Sequence, residues 1–404
     1  MSTYPTPHQK RSQVIAKAIA LRNESQQWEE FIVRMLKKLE LSEEKREAAT
    51  RRYKEFSSHI ARAFGIETSD VHVVVQGSMR TQTTIAGDGR EKFDLDVVVK
   101  LTGPKFSQLL HSEPFFQDFG VALRGIKDAG EPRAKSRCWR LQYPGEPFYF
   151  DVTPAIPMQA WIEGTILKVR DPELVWSPSN PEEFADWFCT IANRRFIFQA
   201  MRKAFVVDAR TTVDPIPQEE IRLDDILRRL VQLIKLHRDS YYKQQADYRR
   251  AAKPISVILV TLAAKAYQQL IESDQLGFTS AIEVALEVVA RMPDFIERSG
   301  HRYSINNPAL PGTASENFAD KWNSDGGLRA REFEIWHTRL ENDLEALFSE
   351  EYSKRSENRV QAIFGQQGVQ AWKASQGAGA LTGLLSGLSA PSGPRKSSTS
   401  DTFA

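Results

Sequence analysis

From about Gln9 to Phe64, apolar residues recur at three- and four-residue spacing, as in Ile32, Met35, Leu36 and Leu39, among many Ala, Glu, Lys and Arg. That period predicts one or two long amphipathic helices. After the breaker Gly65 the period changes. The run VHVVVQG is short, β-branched and closed by glycine, and in FDLDVVVKL alternation passes into a continuous apolar stretch, so both read as strands. A third strand, FYFDVTPAI, follows the turn YPGEP, and RCWRLQY before it reads as its hairpin partner. Beyond Pro157 the helical period returns in PEEFADWFCTIANRRFIFQAMRKAF, LDDILRRLVQLIKLHRDSYY, ISVILVTLAAKAYQQLI and TSAIEVALEVVARM. A loop rich in Asn, Pro and Gly, INNPALPGTASENFADKW, precedes one more helix from about Ser324 through Phe348. From Gln366 onward the Gly and Ser content predicts a flexible tail.

Composition narrows the class. With 404 residues, 41% hydrophobic and 26% charged, the chain is an ordinary globular protein, long enough for one large two-lobed domain or two domains. The longest apolar run, Ile255 to Ala264, is interrupted by Ser256 and Thr261 and is half of the roughly 20 residues that a membrane span requires. The amino terminus, MSTYPTPHQKRSQ, has no apolar signal core, so a cytoplasmic protein without membrane attachment is expected. Cys138 and Cys189 stand far apart without metal-ligand spacing, so neither a disulfide framework nor a zinc site is indicated, and a reducing compartment fits best. Lys plus Arg at 54 against Asp plus Glu at 52 gives a net charge of +2, so any polyanion site must be local. The candidates are RAKSRCWR (Arg133 to Arg140) and the scatter Arg194, Arg195, Arg202, Lys203 and Arg210, each of which, taken by itself, reads first as a solvated face.

The chemistry gathers on the strands. Asp94 and Asp96 are two residues apart, so both carboxylates project from one face while Leu95 and Val97 project from the other. Two carboxylates at that spacing repel unless a cation neutralises them, and oxygen ligands select a hard ion such as magnesium. Taken alone, such a pair is also a solvated strand end. Gly77-Ser78 closes the first strand and opens MRTQTTI, which reads as a helix start, where glycine lets backbone approach a phosphate and the hydroxyl and free amides donate to it. Asp151, flanked by aromatic and apolar residues in FYFDV, reads as a buried charge. If its strand lies beside the DLD strand, three carboxylates converge and could hold two metal ions about 3.5–4 Å apart.

This order of motifs resembles the polymerase-beta-type nucleotidyltransferases. Within them QGSMRTQTTI, DLDVVV and FDVTPAIP resemble the bacterial relatives of cyclic GMP-AMP synthase and oligoadenylate synthase, the cyclic-oligonucleotide synthases of CBASS anti-phage systems. The resemblance covers roughly residues 10 to 350. It implies an α+β, two-lobed nucleotidyltransferase: a catalytic lobe over 1–165 with a small mixed sheet and the long amino-terminal helix, a helical lobe over 166–365 completing the nucleotide cleft, and the flexible tail over 366–404. It also implies that Asp94, Asp96 and Asp151 are catalytic and bind two magnesium ions, with manganese as the alternative. Gly77, Ser78, Lys235 and Ser256 would bind the nucleotide. Lys235 reads otherwise as a solvated helix lysine, and Ser256 as a plain N-cap. Family members with an aromatic residue after this serine stack it on the base; Val257 stands here, which leaves base stacking unassigned. Asn317 and Trp322, in a loop that resembles one of the oligoadenylate synthases, are expected to buttress the site.

The implied substrates are NTPs, ATP with GTP or another NTP, joined into a cyclic di- or trinucleotide that a downstream effector binds. No Cys/His spacing of a DNA-binding zinc ribbon occurs, so no DNA activator is expected. The alternatives are a nucleotidyltransferase acting on RNA ends or on a protein, and a catalytically silent scaffold. The chain closes with Thr402-Phe403-Ala404, and some CBASS synthases are similar in ending with a small-residue tail that a ubiquitin-ligase-like partner conjugates, which would make Ala404 the conjugation site.

Overall fold

The computed structural model describes residues 7–86, 92–107, 109–158, 165–173, 175–196, 198, 225–273, 277–310, 312, 315–352 and 357–386. The amino-terminal amphipathic stretch is three helices rather than one or two: α1 (Pro7–Leu21), α2 (Ser25–Leu39) and α3 (Glu43–Phe64). Asn23, at φ 55°, turns the chain between the first two, and extended backbone at Glu40 and Ser42 separates the second from the third. They serve different cores. Phe56 and Ile60 of α3 pack under the sheet, whereas Trp28, Phe31, Met35 and Leu36 of α2 join the core of the carboxy-terminal helices. An amphipathic stripe announces burial but not the partner.

The sheet contains β1 (Val71–Val75), β2 (Phe93–Leu101), β3 (Arg133–Ala134), β4 (Trp139–Gln142), β5 (Phe148–Pro157), β6 (Leu167–Asp171) and β7 (Val175–Ser179). Its order is β1-β2-β5-β4-β3, with β6 on the distal half of β5 and β7 beyond it. Among the described residues, only β2 and β5 run parallel and every other pairing is antiparallel. The sheet therefore continues to Ser179, past the expected lobe boundary at 165. The apolar run that ends β2 also has its reason: Val97 and Val99 face α3 and α5 (Ser112–Ala122), while Val98 packs on the opposite face with Ala155, Leu167 and Val169. Both faces are covered there, so alternation stops. The helix expected after Gly77-Ser78 is a single turn, α4 (Gly77–Arg80), because the threonine hydroxyls bond locally and Gln82 adopts φ 57°.

The second lobe holds α6 (Pro181–Ala192), α7 (Ile226–Lys243), α8 (Asp247–Ala251), α9 (Ser256–Ser273), α10 (Ala281–Arg291), a small hairpin of β8 (Glu297–Ser299) and β9 (Arg302–Ser304), α11 (Leu328–Ser349) and α12 (Glu357–Ser386). Central α7 is buried along most of its length and packs on α9, α10, α11 and α12. Arg202, Lys203 and Arg210 lie outside the described residues. The chain expected to be a flexible tail from 366 is helical through Ser386, with Val369 and Trp372 buried against the helical core. Packing outweighs the local composition there. Helix α12 breaks at Gly365 and doubles back, so that Lys373 Nζ reaches Glu357 Oε1 at 2.7 Å. No helix among the described residues is long and apolar enough to cross a membrane.

One contact ties β4 to α5. Trp139 stacks on Phe116 with centroids 5.0 Å apart and donates from its indole N–H to the Phe116 carbonyl at 3.0 Å. A Cβ on Gly120 would stand 2.2 Å from the Trp139 ring. Gly120→Ala is therefore expected to cost roughly 1–3 kcal/mol through overpacking, read as a lowered Tm in thermal denaturation. An unchanged Tm would show that the indole shifts freely.

Candidate active site

The parallel register of β2 and β5 sets Asp96 directly opposite Asp151 and Asp94 opposite Tyr149. Side chains alternate along both strands, so the three carboxylates share one face, with ligand oxygens within 4.8 Å of one another. The convergence required by the sequence is thus met. Among the described residues these three alone form a group of acids, histidines or cysteines close enough to share a metal ion. Hard anionic oxygens at this separation fit a divalent cation, and the triad could hold one. The turn before α4 is shaped around Asp96: Gly77 has φ +61°, and a Cβ there would lie 2.2 Å from Asp96 Oδ2. Only glycine allows this approach.

Confinement shows in the acidities. Loss of water, then the Asp94 and Asp151 charges, push Asp96 up to about 7. Asp94 rises to about 6, first through desolvation and then through Asp151, although half of its side chain stays open to solvent. The counter-charge comes from Arg140 in β4, which sequence reading left within a general basic cluster. Its Nε and Nη2 donate to the two oxygens of Asp151 at 2.8 and 2.7 Å.

The other expected residues gather around a cleft of about 1530 Å³ between the lobes, lined by Gly77, Ser78, Asp94, Asp96, Lys235 and Ser256 among others. Lys235 is buried and donates from Nζ to Thr83 Oγ1 at 2.9 Å and to the Thr83 carbonyl at 3.3 Å. Burial and neighbouring Arg238 pull its pKa down to about 7, against the opposing attraction of Asp96. Ser78 accepts through its hydroxyl from Thr84 Oγ1 at 3.1 Å. Ser256 opens α9 and accepts from Arg238 Nη1 at 3.0 Å; Arg238 also donates to Pro254 O and to both oxygens of Asp239. Asn317 receives the Ile305 and Ala319 amides and donates to Tyr303 O, and Trp322 is buried in the helical core, so both support the loop that flanks the cleft. Ala404 lies outside the described residues.

Sequence reading missed the polar stripe on α7. Arg228 donates to Thr81 O at 3.0 Å, Gln232 to Thr84 O at 3.3 Å, and Lys235 to Thr83. Positions i, i+4 and i+7 form one face of a helix, and polar residues at that spacing among Leu227, Leu230, Val231, Leu233, Ile234 and Leu236 were the available signal.

No family model matches the chain. Among curated proteins it is similar to a c-di-GMP synthase of Roseivirga ehrenbergii, 29% identical over 260 residues that make up 63% of this chain and 61% of that protein. The match thus spans about three fifths of that relative's length. Among solved structures it is similar to the CD-NTase CdnG of Bradyrhizobium diazoefficiens in complex with GTP, with a TM-score of 0.63, 21% identity, and coverage of 86% of this chain and 99% of that one. The fold is that of a CD-NTase. A second neighbour, Escherichia coli CdnC with ATP, aligns at a TM-score of 0.54 and 12% identity over 84% of this chain and 98% of the other. The α+β, two-lobed nucleotidyltransferase architecture expected from the sequence is borne out by this CD-NTase likeness.

The raised Asp94 and Asp96 carboxyls give the metal-free protein a pH signature. The folded state retains protons that the unfolded chain releases above about pH 4, so their contribution to stability is complete below that value and is lost as pH rises through 6 to 7. In chelator, Tm is expected to fall between about pH 4 and pH 7. Replacing Asp94→Asn together with Asp96→Asn should flatten the fall and raise Tm at the alkaline end. Parallel profiles for the two proteins would contradict the assignment.

Proposed function

We propose that the protein is a cytoplasmic, metal-dependent nucleotidyltransferase that joins NTPs into a cyclic di- or trinucleotide messenger, with release of pyrophosphate, for anti-phage signalling through a downstream effector. The observation that carries this reading is the convergence of Asp94, Asp96 and Asp151, the first two of which line, with Ser78 and Lys235, a cleft roomy enough for two nucleotides. Likeness to a c-di-GMP synthase supports cyclic products and GTP among the substrates, with ATP or another NTP as partner.

Two magnesium ions, or manganese, held by the three aspartates would neutralise charge on the transferred and leaving phosphates. Ser78 and the amides of α4 bind the donor triphosphate, with Gly77 letting the backbone approach. Lys235 supplies a buried cation whose charge a polyphosphate favours, and it is already anchored through Thr83. Ser256, held by Arg238, receives the far end of the triphosphate. The ribose hydroxyl of the acceptor attacks the α-phosphate in line; the new O–P bond forms as the bond to pyrophosphate breaks, and the hydroxyl proton passes to Asp151. Repetition on the bound linear intermediate closes the ring. At the other end of the chain, a ubiquitin-ligase-like partner conjugates Ala404.

Incubation with magnesium and each labelled NTP, singly and in combination, is expected to yield phosphatase-resistant cyclic products by mass spectrometry, and none from the protein carrying Asp94→Asn and Asp96→Asn. Label found only on RNA, on protein or in linear products would overturn the reading. Deleting Ala404, or replacing it with a bulky residue, should leave purified cyclisation intact and abolish covalent conjugates in cells that contain the partner. Conjugates persisting without Ala404 would rule out this attachment site.

A further inference from the structure

We infer that Arg140 is a resident counter-ion of the carboxylate triad, which a divalent cation must displace from Asp151 before the site can load. This rests on reading the triad as a cation site. Sheet register puts Arg140 in place: it is paired across β4 and β5 with Asp151, which is paired across β5 and β2 with Asp96. The three side chains form one row on one face. The guanidinium grips both Asp151 oxygens at 2.8 and 2.7 Å, holds Nη2 4.0 Å from Asp94 Oδ2, and lies over the Tyr149 ring at 3.9 Å from its centroid. A bidentate pair stacked on an aromatic ring is the geometry in which arginine, unlike lysine, is preorganised.

Two consequences follow from charge. Without metal, Arg140 offsets part of the repulsion among three carboxylates whose oxygens lie within 4.8 Å, and so keeps the site assembled. A divalent ion seated on Asp96 and Asp151 would meet a like charge a few ångströms away, so each cation weakens the other's hold. Asp151 is also absent from the cleft lining that includes Asp94 and Asp96. Its oxygens become available to a cation in the cleft once Arg140 swings aside, free to meet the anionic phosphates of a bound nucleotide. Metal binding to the free protein is therefore weak, and nucleotide binding strengthens it by giving Arg140 another partner.

The test is Mn2+ binding without nucleotide, followed by electron paramagnetic resonance, together with Tm in chelator and in excess Mn2+. Arg140→Gln is expected to tighten Mn2+ binding by at least about tenfold, to lower Tm in chelator, and to show a larger rise in Tm on adding Mn2+ than the wild type. Arg140→Lys keeps the charge without the fork and should bind Mn2+ within about threefold of the wild type. If Asp96→Asn abolishes Mn2+ binding but Arg140→Gln binds no tighter than wild type, the counter-ion role is wrong while the cation site stands. If Asp96→Asn leaves Mn2+ binding unchanged, the cation site itself is wrong, and the counter-ion role falls with it.

Discussion

Repulsion among three carboxylates on neighbouring strands is the constraint around which the catalytic lobe is arranged. Two unit charges 4–5 Å apart repel by roughly 3–4 kcal/mol even at an effective dielectric near 20, and the parallel pairing of β2 with β5 fixes the acids at that range. Burial of β2 on both faces beyond Asp96 prevents the strand from slipping to relieve the strain, because a one-residue shift would turn Val97 to Val99 out of their packing. The fold forces the charges together and supplies a guanidinium and raised acidities to answer them.

The same logic orders the surroundings. Trp139, locked against α5, sets the position of β4 and hence of Arg140, the next residue along. Gly77 clears the volume that the Asp96 carboxylate occupies, so the turn that would meet phosphates and the strand that carries the acids are shaped to each other. Lys235 enters from the opposite lobe.

Much of this was legible in the sequence. FDLDVVVKL announces a strand with both acids on one face, and the observed strand spans Phe93–Leu101. Asp151 stands out because a charge amid Phe, Tyr and Val needs a reason. Arg140 does not, since RAKSRCWR looks the same whether solvated or folded onto an acid, and only the β4 register decides. The division of the amino-terminal helices between two cores is likewise invisible to periodicity, which reports a buried stripe and not what buries it. In α12 the Gly-rich composition pointed away from helix, whereas contacts through Val369 and Trp372 with residues distant in sequence prevail.

The stripe of Arg228, Gln232 and Lys235 bears on how the molecule moves. The loop of residues 81–84 follows directly from the sheet lobe, yet its carbonyls are held by a helix of the other lobe. Parting the lobes like a hinge would break the loop contacts of Arg228, Gln232 and Lys235 together, although Arg228 would keep Asp225 and Asn193 and Gln232 would keep Glu40. One helix face of the second lobe thus carries the contacts that seat the segment following the Gly77-Ser78 turn, and the phosphate-facing turn takes its place from both halves of the molecule.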